Sequence, residues 1–269
     1  MHHPKDGHAQ QGQQARELTQ RCTMVDGLRR ALGFLTVYPL RASDAWTPET
    51  LGSSMVYYPL VGTFIGLALW GLAVLLGVLF PPSIVSALLL VGSLLVTGGL
   101  HMDGLADLID GLSGSYNRAD ALRIFKDPHV GSMAVAGVVL MVLIKYACLN
   151  ALSPAALCPA LVLMGTLSRY TMVQLACFSP YARATGGIGE PFVRGIRLEH
   201  HIAALLLALG STLLFGGLRG VCIGILVSLA TLGMQSYFYQ RLGGITGDVL
   251  GATNELNEAL VLLLATVVY

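Results

Sequence analysis

The stretch HMDGLADLIDGLSGSYNRADALRIFKDPHVG, His101–Gly131, follows a run from Thr50 to Leu100 that contains no Asp, Glu, Lys or Arg. It brings three aspartates, Asp103, Asp107 and Asp110, directly after this apolar segment. Because an α-helix has 3.6 residues per turn, positions i, i+4 and i+7 lie on one face, so the three carboxylates should point the same way. Carboxylates at this spacing repel one another, which predicts a positively charged partner against this face.

The partner that suits such a face is Mg²⁺. Hard divalent cations prefer carboxylate oxygens, and Mg²⁺ is usually held by a few carboxylates together with the phosphates of a substrate. The alternative is that the acidic face is only the solvated side of an amphipathic helix. Gly104, Gly111 and Gly114 favour a site, since each glycine weakens a helix by roughly 1 kcal/mol and lets a phosphate or a second helix approach closely. We therefore predict a Mg²⁺ site at a membrane boundary.

The composition is that of a membrane protein. Hydrophobic residues make up 54% of the 269 residues and charged residues only 12%, and the mean hydropathy is +0.68. Long unbroken apolar runs predict membrane helices rather than the short alternating strands of a membrane barrel. The net charge of +1 gives no reason to expect nucleic-acid binding. The predicted fold class is all-α, a polytopic bundle of about six or seven transmembrane helices with an N-terminal interfacial helix.

Two regions are distinguished along the chain. Residues 1–23 are polar and rich in His and Gln, and we expect a disordered cytoplasmic tail without a signal sequence. Residues 24–269 are expected to form one membrane-embedded domain, in which Met24–Leu40 is too short and too charged to span and is predicted to be interfacial or re-entrant. The predicted spans are Met55–Phe80, Ser83–Leu100, Gly131–Asn150, Pro154–Phe178, His201–Phe215, Gly220–Tyr239 and Val249–Tyr269.

The basic residues predict the orientation in the membrane. With the N-terminus in the cytoplasm and these spans as crossings, nearly all Lys and Arg residues fall on the cytoplasmic side, whereas the opposite side receives Arg219 alone. Such an excess is typical of cytoplasmic connections. Two basic residues fall within spans: Lys145 is expected to snorkel, and Arg169 is expected to pair with an acid of the site or to bind a substrate phosphate.

A second polar segment, LGGITGDVLGATNE at Leu242–Glu255, is expected to complete the site. Asp248 and Glu255 are seven residues apart and therefore share a helix face, and carboxylates within a membrane mark functional sites by default. Gly244 and Gly247 belong to a turn before this helix that is a candidate phosphate cradle. The alternatives are ordinary helix capping by the acids and helix breaking by the glycines.

The loop Ser179–His201 is basic and rich in glycine. Arg183 and Arg194 within it are candidate ligands for a large anionic substrate that enters beside the metal. The same loop could equally contact lipid headgroups.

Several motifs resemble those of the cobalamin synthase family, the adenosylcobinamide-GDP ribazoletransferases. The resemblance is carried by LTVYPL (Leu35–Leu40), MVYYPLVGTFIG (Met55–Gly66), GGLHMDGLADLIDGL (Gly98–Leu112), RIFKDPHVG (Arg123–Gly131), ARATGGIGEPFVRGI (Ala182–Ile196) and LGGITGDVLGATNE. These motifs follow the family's order and spacing. The chain departs from the family at Pro128-His129, where a Ser-Arg pair is more usual.

The resemblance implies a reaction in the bacterial cytoplasmic membrane. The family joins adenosylcobinamide-GDP to α-ribazole or its 5′-phosphate and releases GMP, with Mg²⁺. In this chain the metal would be held by Asp103, Asp107, Asp110, Asp248 and Glu255. Asp110 or Asp127 would accept the proton of the attacking hydroxyl, and Lys126, Arg169 and Arg194 would complement the phosphates.

Two other classes of protein are alternatives. A membrane CDP-alcohol phosphotransferase would share the chemistry of metals held by aspartate, but after Asp107 the sequence reads LIDGLSGS instead of continuing that family's motif. An ion-coupled transporter should show inverted repeats and carboxylates near the bilayer midplane, and the sequence contains no convincing repeat. The 32 glycines are compatible with close helix packing in a homo-oligomer.

Overall fold

A computed structural model describes residues 24–38, 46–115, 117–183 and 186–269. Within these ranges the β pairing is limited to an isolated bridge between Tyr181 and Ile245, so the predicted all-α fold class is confirmed. The tail predicted for residues 1–23 lies outside the described residues. The helices are α1 (24–35), α2 (Pro48–Ser54), α3 (Tyr58–Gly77), α4 (Pro82–Thr97), α5 (Leu100–Ser113), α6 (Arg118–Ile124), α7 (Ser132–Ala151), α8 (Pro154–Phe178), α9 (Glu190–Gly195), α10 (Leu198–Leu242) and α11 (Gly247–Val268).

The described part of the chain contains four helical stretches that are long and apolar enough to cross a membrane. They are α2 with α3, α7, α8 and α10, and the bent pair of α4 and α5 would add a fifth. Helix α11 was also predicted to span, but Asp248, Glu255 and Glu258 lower its hydropathy, and protein surrounds most of its length. The membrane character is confirmed, while the number of crossings stays a prediction.

Helix α10 is a helical hairpin. Gly217 has φ 57° and ψ −152°, which lie outside the helical region and divide α10 into two halves. A Cβ atom on Gly220 would lie 3.1 Å from the carbonyl oxygen of Thr212, although eight residues of a straight helix span about 12 Å. The halves therefore run back along each other, which agrees with the two separate spans predicted for this region.

Helix α8 forms the centre of the bundle. Nearly all of its side chains from Ala160 to Ala176 are buried, and α3, α10 and α11 pack against it. Helices α3 and α8 meet at Gly62 and Gly165, where a Cβ atom on either residue would clash with the backbone of the other. Small residues allow such contact where lipid provides no hydrophobic driving force for helix association. The polar residues of α8 consequently face protein rather than lipid.

Helices α4 and α5 meet at a bend of 93°. Gly98 and Gly99 form the bend, with φ angles of 63° and 73° that favour glycine. Helix α5 has 14 residues, whereas about 20 are needed to cross the hydrocarbon core. The bend therefore turns the charged helix α5 away from the direction of the apolar helix α4.

Candidate active site

Helix α5 presents its first two aspartates to the start of α11. A Cβ atom on Gly104 would lie 2.8 Å from the backbone carbonyl oxygen of Asp248, and Gly251 lies in similarly close contact with the backbone of α5. Glycine permits two helix backbones to approach this closely. The crossing brings Asp103 and Asp107 near Asp248, so that the three charges interact. We call these three residues the acid cluster.

The acid cluster is only partly neutralised. Arg183 donates a hydrogen bond from Nη2 to the Asp248 carboxylate at 2.9 Å, and the Thr246 hydroxyl donates to the same oxygen at 3.1 Å. Burial, together with the negative charges of Asp103 and Asp248, raises the pKa of Asp107 to about 6, although Arg183 acts in the opposite direction. The negative form of Asp107 is therefore disfavoured, first by burial and then by the two neighbouring carboxylates.

The donor set of the acid cluster fits a hard divalent cation. Carboxylate oxygen is the ligand that Mg²⁺ prefers, and a cation would relieve the repulsion among these side chains. Across the described ranges of the chain, no three His, Cys, Asp or Glu side chains are grouped closely enough to hold a metal ion by themselves. Mg²⁺ sites commonly combine one or two carboxylates with water and substrate phosphates, so this finding leaves such a site as a prediction.

Asp110 acts on Asp107 through its charge, but its carboxylate is bound at the start of α7. Its two carboxylate oxygens accept hydrogen bonds from the backbone N–H groups of Gly131 at 2.5 Å and Ala134 at 3.0 Å, at the start of α7. An anion at this position satisfies free N–H groups and interacts favourably with the helix dipole. Asp110 therefore caps α7, and its expected roles as metal ligand and proton acceptor stay predictions, since each carboxylate oxygen keeps a free lone pair.

Glu255 lies in a separate buried network. Glu255 and Glu258 accept hydrogen bonds from Nζ of Lys145 at 2.6 Å and 2.5 Å, and Glu258 also pairs with Arg169. All four side chains are buried, and we call them the ion network. Asp248 and Glu255 lie on one helix, but seven residues separate them by about 10 Å along its axis. Glu255 thus lies two turns deeper than Asp248 and pairs with Lys145, which gives no support to its expected part in the metal site; that part stays a prediction.

The ion network also corrects the roles expected of two basic residues. Lys145 does not snorkel, because it is only 4% exposed and its ammonium group pairs with two carboxylates. Arg169 is fully buried and pairs with Glu258, so of its two expected roles the structure supports pairing rather than phosphate binding. The sequence carried a signal for this arrangement, since Glu255 and Glu258 are three residues apart on one helix face.

Lys126 and Asp127 lie exposed in the connection between α6 and α7. The Asp127 carboxylate accepts a hydrogen bond from the backbone N–H of His129 at 3.0 Å and lies 2.6 Å from the Nδ1 atom of its ring. These hydrogen bonds lower the pKa of Asp127 below its usual value, which makes it a weaker base. The contacts described for these two residues are local and do not reach the acid cluster.

The glycine turn before α11 is used for packing. Gly244 has a φ of 149° and lies against the backbone of Pro180. The Ile245 N–H donates to the Pro180 carbonyl at 2.9 Å, and the Ala182 N–H donates to the Ile245 carbonyl at 2.8 Å. The turn thereby holds the loop that delivers Arg183 to the acid cluster. Its use as a phosphate cradle stays a prediction.

Gly247 and Arg194 have different surroundings. Gly247 is the first residue of α11 and lies so close to Gly189 that a Cβ atom on Gly189 would be 2.8 Å from the Gly247 Cα. The Arg194 side chain is 63% exposed and pairs with Glu190 at 2.7 Å within α9. Gly247 is therefore part of the wall beside the acid cluster, whereas Arg194 lies at the protein surface.

An aromatic cavity adjoins the acid cluster. Its volume is about 110 Å³, and Asp103 and Asp248 are among the residues that line it. Phe34, Tyr58 and Phe192 form its aromatic side, with ring centroids 4.4 Å to 6.3 Å apart. Sequence reasoning assigned these residues no role, because in a membrane protein an apolar aromatic residue is usually a packing residue. The signal present was the motif around Tyr58, which contributes to the family resemblance.

Comparisons with known proteins agree with the motifs. A family model described as cobalamin-5-phosphate synthase matches residues 27–266. The adenosylcobinamide-GDP ribazoletransferase of Chlorobaculum tepidum is 41% identical over 254 residues, which cover 90% of this chain and 95% of that protein. The protein of the same name from Chlorobium phaeobacteroides is 38% identical over 238 residues, which cover 87% of this chain and 95% of that protein. No solved structure matches the chain.

Proposed function

This chain belongs to the cobalamin-5-phosphate synthase family, and we propose that it joins adenosylcobinamide-GDP to α-ribazole or its 5′-phosphate with release of GMP. Relatives that cover most of the chain carry the name adenosylcobinamide-GDP ribazoletransferase. The observation that supports the proposal best is the acid cluster, in which the crossing of α5 and α11 lets the charges of Asp103, Asp107 and Asp248 interact beside Arg183.

The proposed reaction exchanges one phosphorus–oxygen bond for another. A ribose hydroxyl oxygen of the acceptor attacks the phosphorus attached to cobinamide, and a new P–O bond forms. The P–O bond to GMP breaks, its electron pair leaves with GMP, and the hydroxyl proton passes to a base. Such a transfer depends on orientation and on neutralisation of charge more than on covalent chemistry.

Residues of the acid cluster and Arg183 would bind the reacting phosphates. Asp103, Asp107 and Asp248 would hold Mg²⁺, which when bound neutralises charge on the pyrophosphate and on the departing GMP. Arg183 pairs with Asp248 through one nitrogen, and its Nε has no hydrogen-bond partner among the described residues. Because a guanidinium has five N–H donors, Arg183 can keep this ion pair and still bind a phosphate oxygen.

Exposed residues would contact the outer part of the donor. Lys126 and Arg194 are surface cations that would meet its phosphates, and Asp127 would accept the hydroxyl proton. The low pKa of Asp127 makes it a weak base, so its contribution to the rate should be small. A carboxylate of the acid cluster or a water molecule would be an alternative acceptor of the hydroxyl proton.

We also propose that the acid cluster faces the cytoplasm at the cytoplasmic membrane. Basic residues gather around it: Arg183 pairs with Asp248, and Arg118 donates a hydrogen bond to the Ala182 carbonyl at 2.7 Å. The bias of Lys and Arg toward one set of connections supports this orientation. A cysteine introduced at Asp120 on α6 should react with a membrane-impermeant thiol reagent only in inverted vesicles.

The test of the activity is GMP release by the purified full-length protein in lipid nanodiscs. With adenosylcobinamide-GDP, α-ribazole and Mg²⁺, we expect GMP and the joined corrinoid in equal amounts. Omission of α-ribazole, or chelation of divalent cations with EDTA, should reduce GMP release to background. GMP release independent of the acceptor would indicate hydrolysis and contradict the transfer, and turnover of a CDP-alcohol with release of CMP would favour the alternative phosphotransferase.

A further inference from the structure

We infer that the aromatic cavity binds the base of the acceptor nucleoside, an apolar fused-ring base of the benzimidazole class with one free ring nitrogen. The inference rests on the proposed function and extends it by assigning the acceptor base to particular side chains. The aromatic cavity suits this role because it joins the acid cluster at one end and contains unpartnered polar groups.

The walls of the aromatic cavity fit a flat apolar ring. Phe34 and Phe192 lie 4.4 Å apart between ring centroids, and Tyr58 lies 6.2 Å and 6.3 Å from them. Met172 and Leu250 add apolar surface. Phe34 and Tyr58 are stacked, and Phe192 is tilted by 47° and 58° against them, so the three rings present apolar faces and edges to a flat ligand. A volume of about 110 Å³ admits a fragment rather than a whole nucleotide, since pockets for drug-sized ligands start at about 300 Å³.

Two polar side chains of the aromatic cavity lack hydrogen-bond partners among the described residues. They are the hydroxyl of Tyr58 and both ring nitrogens of His101, and each residue is only 1% exposed. Buried polar groups are normally hydrogen-bonded, so a ligand that supplies an acceptor would satisfy the Tyr58 hydroxyl. A ring nitrogen of the bound base would accept the hydrogen bond that the Tyr58 hydroxyl donates.

The same features argue against the guanine of the donor in this cavity. Guanine carries several donors and acceptors along its edges: Asp103 and Asp248 can accept from its N–H groups, but Phe34, Phe192 and Leu250 would leave its carbonyl and ring-nitrogen acceptors unpaired at a cost. A benzimidazole joined to ribose offers one ring-nitrogen acceptor and an apolar benzene ring. Tyr58 can pair with the former, and Phe34, Phe192 and Leu250 can cover the latter.

The position of the aromatic cavity also orients the acceptor. Asp103 and Asp248 line it together with the aromatic rings. A base held against the rings would therefore place its attached ribose beside the acid cluster, where the attacking hydroxyl is needed. Binding of this kind supplies the orientation on which a phosphoryl transfer depends.

The test compares the two substrates in the purified full-length protein. Tyr58→Phe should raise the KM for α-ribazole about tenfold, the loss of roughly one hydrogen bond, and should leave the KM for adenosylcobinamide-GDP unchanged. A nucleoside in which C–H replaces the free ring nitrogen should show equal KM values with wild type and Tyr58→Phe. Tyr170→Phe is the matched control, because Tyr170 is a buried tyrosine outside the aromatic cavity and should change neither KM.

A rise in the KM for adenosylcobinamide-GDP alone would assign guanine to the aromatic cavity and overturn the inference, as would unchanged KM values for both substrates. If Tyr58→Phe does not fold, Phe192→Leu tests whether the KM values of the two substrates change separately.

Titration of α-ribazole fluorescence, without donor or Mg²⁺, separates this inference from the proposed function. Binding that Tyr58→Phe weakens, in a protein that releases no GMP, would support the inference and contradict the proposed function. Equal binding by wild type and Tyr58→Phe, together with normal GMP release, would contradict the inference and support the proposed function.

Discussion

The acid cluster and the ion network each contain carboxylates of helix α11, but these carboxylates have opposite surroundings. In the ion network, Glu255 and Glu258 are buried and paired with cations from α7 and α8. In the acid cluster, Asp248 shares a partly exposed position with two further carboxylates and pairs with Arg183. Carboxylates paired within the protein hold helices together, whereas carboxylates short of positive charge are the ones available to a cation that arrives with a substrate.

The largest effect is expected where the ion network is broken. Glu258→Gln should lower the free energy of unfolding by about 3–5 kcal/mol, because Arg169 loses its carboxylate and Lys145 loses one of two, which leaves buried charge uncompensated. Unfolding of the detergent-purified protein by denaturant measures this change. Glu255→Gln is the control and should cost less, since Lys145 keeps Glu258; an equal or larger cost would show that the network is not centred on Glu258.

Substitutions in the acid cluster are expected to lower the activity rather than the stability of the protein. Asp107→Asn should reduce kcat/KM on the order of 100- to 1,000-fold, because a charged ligand for the phosphate-bound cation is lost, while repulsion from Asp103 and Asp248 decreases and folding is preserved. GMP release and denaturant unfolding are measured on the same preparation. Asp120→Asn, which changes a half-buried acid on α6 that pairs with Asn117, should retain full activity. Near-normal turnover by a folded Asp107→Asn protein would contradict the site.

The next largest effect is expected from a substitution that changes the spacing between α5 and α11. Gly104→Ala adds a Cβ atom 2.8 Å from the Asp248 carbonyl oxygen, so the helices must separate, at a cost of about 1–3 kcal/mol and with reduced turnover. The matched control is Gly210→Ala on α10, where nothing lies within 4 Å and a gain of about 0.5–1 kcal/mol is expected. If Gly104→Ala keeps both wild-type stability and wild-type GMP release, the close crossing is not required.

The smallest effect is expected at Asp110. Asp110→Asn weakens the cap of α7 and should cost about 1 kcal/mol in the free energy of unfolding, with turnover within a few-fold of wild type. This result would separate Asp110 from Asp107, although the two lie on the same helix. A loss of turnover as large as that of Asp107→Asn would support the expected role of Asp110 as a metal ligand.

The sequence by itself determined the features that depend on local geometry. Composition and long apolar runs predicted an all-α membrane protein, because lipid requires the backbone to satisfy its own hydrogen bonds. Helical spacing placed Asp103 and Asp107 on one face, and the interval around Gly217 separated the two halves of the α10 hairpin. These inferences use the composition and helical spacing of single segments, which do not depend on how the segments pack. The order of the motifs was enough to identify the family.

Only the tertiary structure decided which charges meet. Lys145 and Glu255 are 110 residues apart in the chain, and no local pattern could show that they pair at 2.6 Å rather than snorkel or bind metal. Helical spacing gives the face of a residue but not its depth in the bundle or its partner on another helix. Coulomb energies depend on separations of a few ångströms between distant segments, so the close packing of Gly104 on the Asp248 backbone determined which carboxylates of α5 and α11 meet.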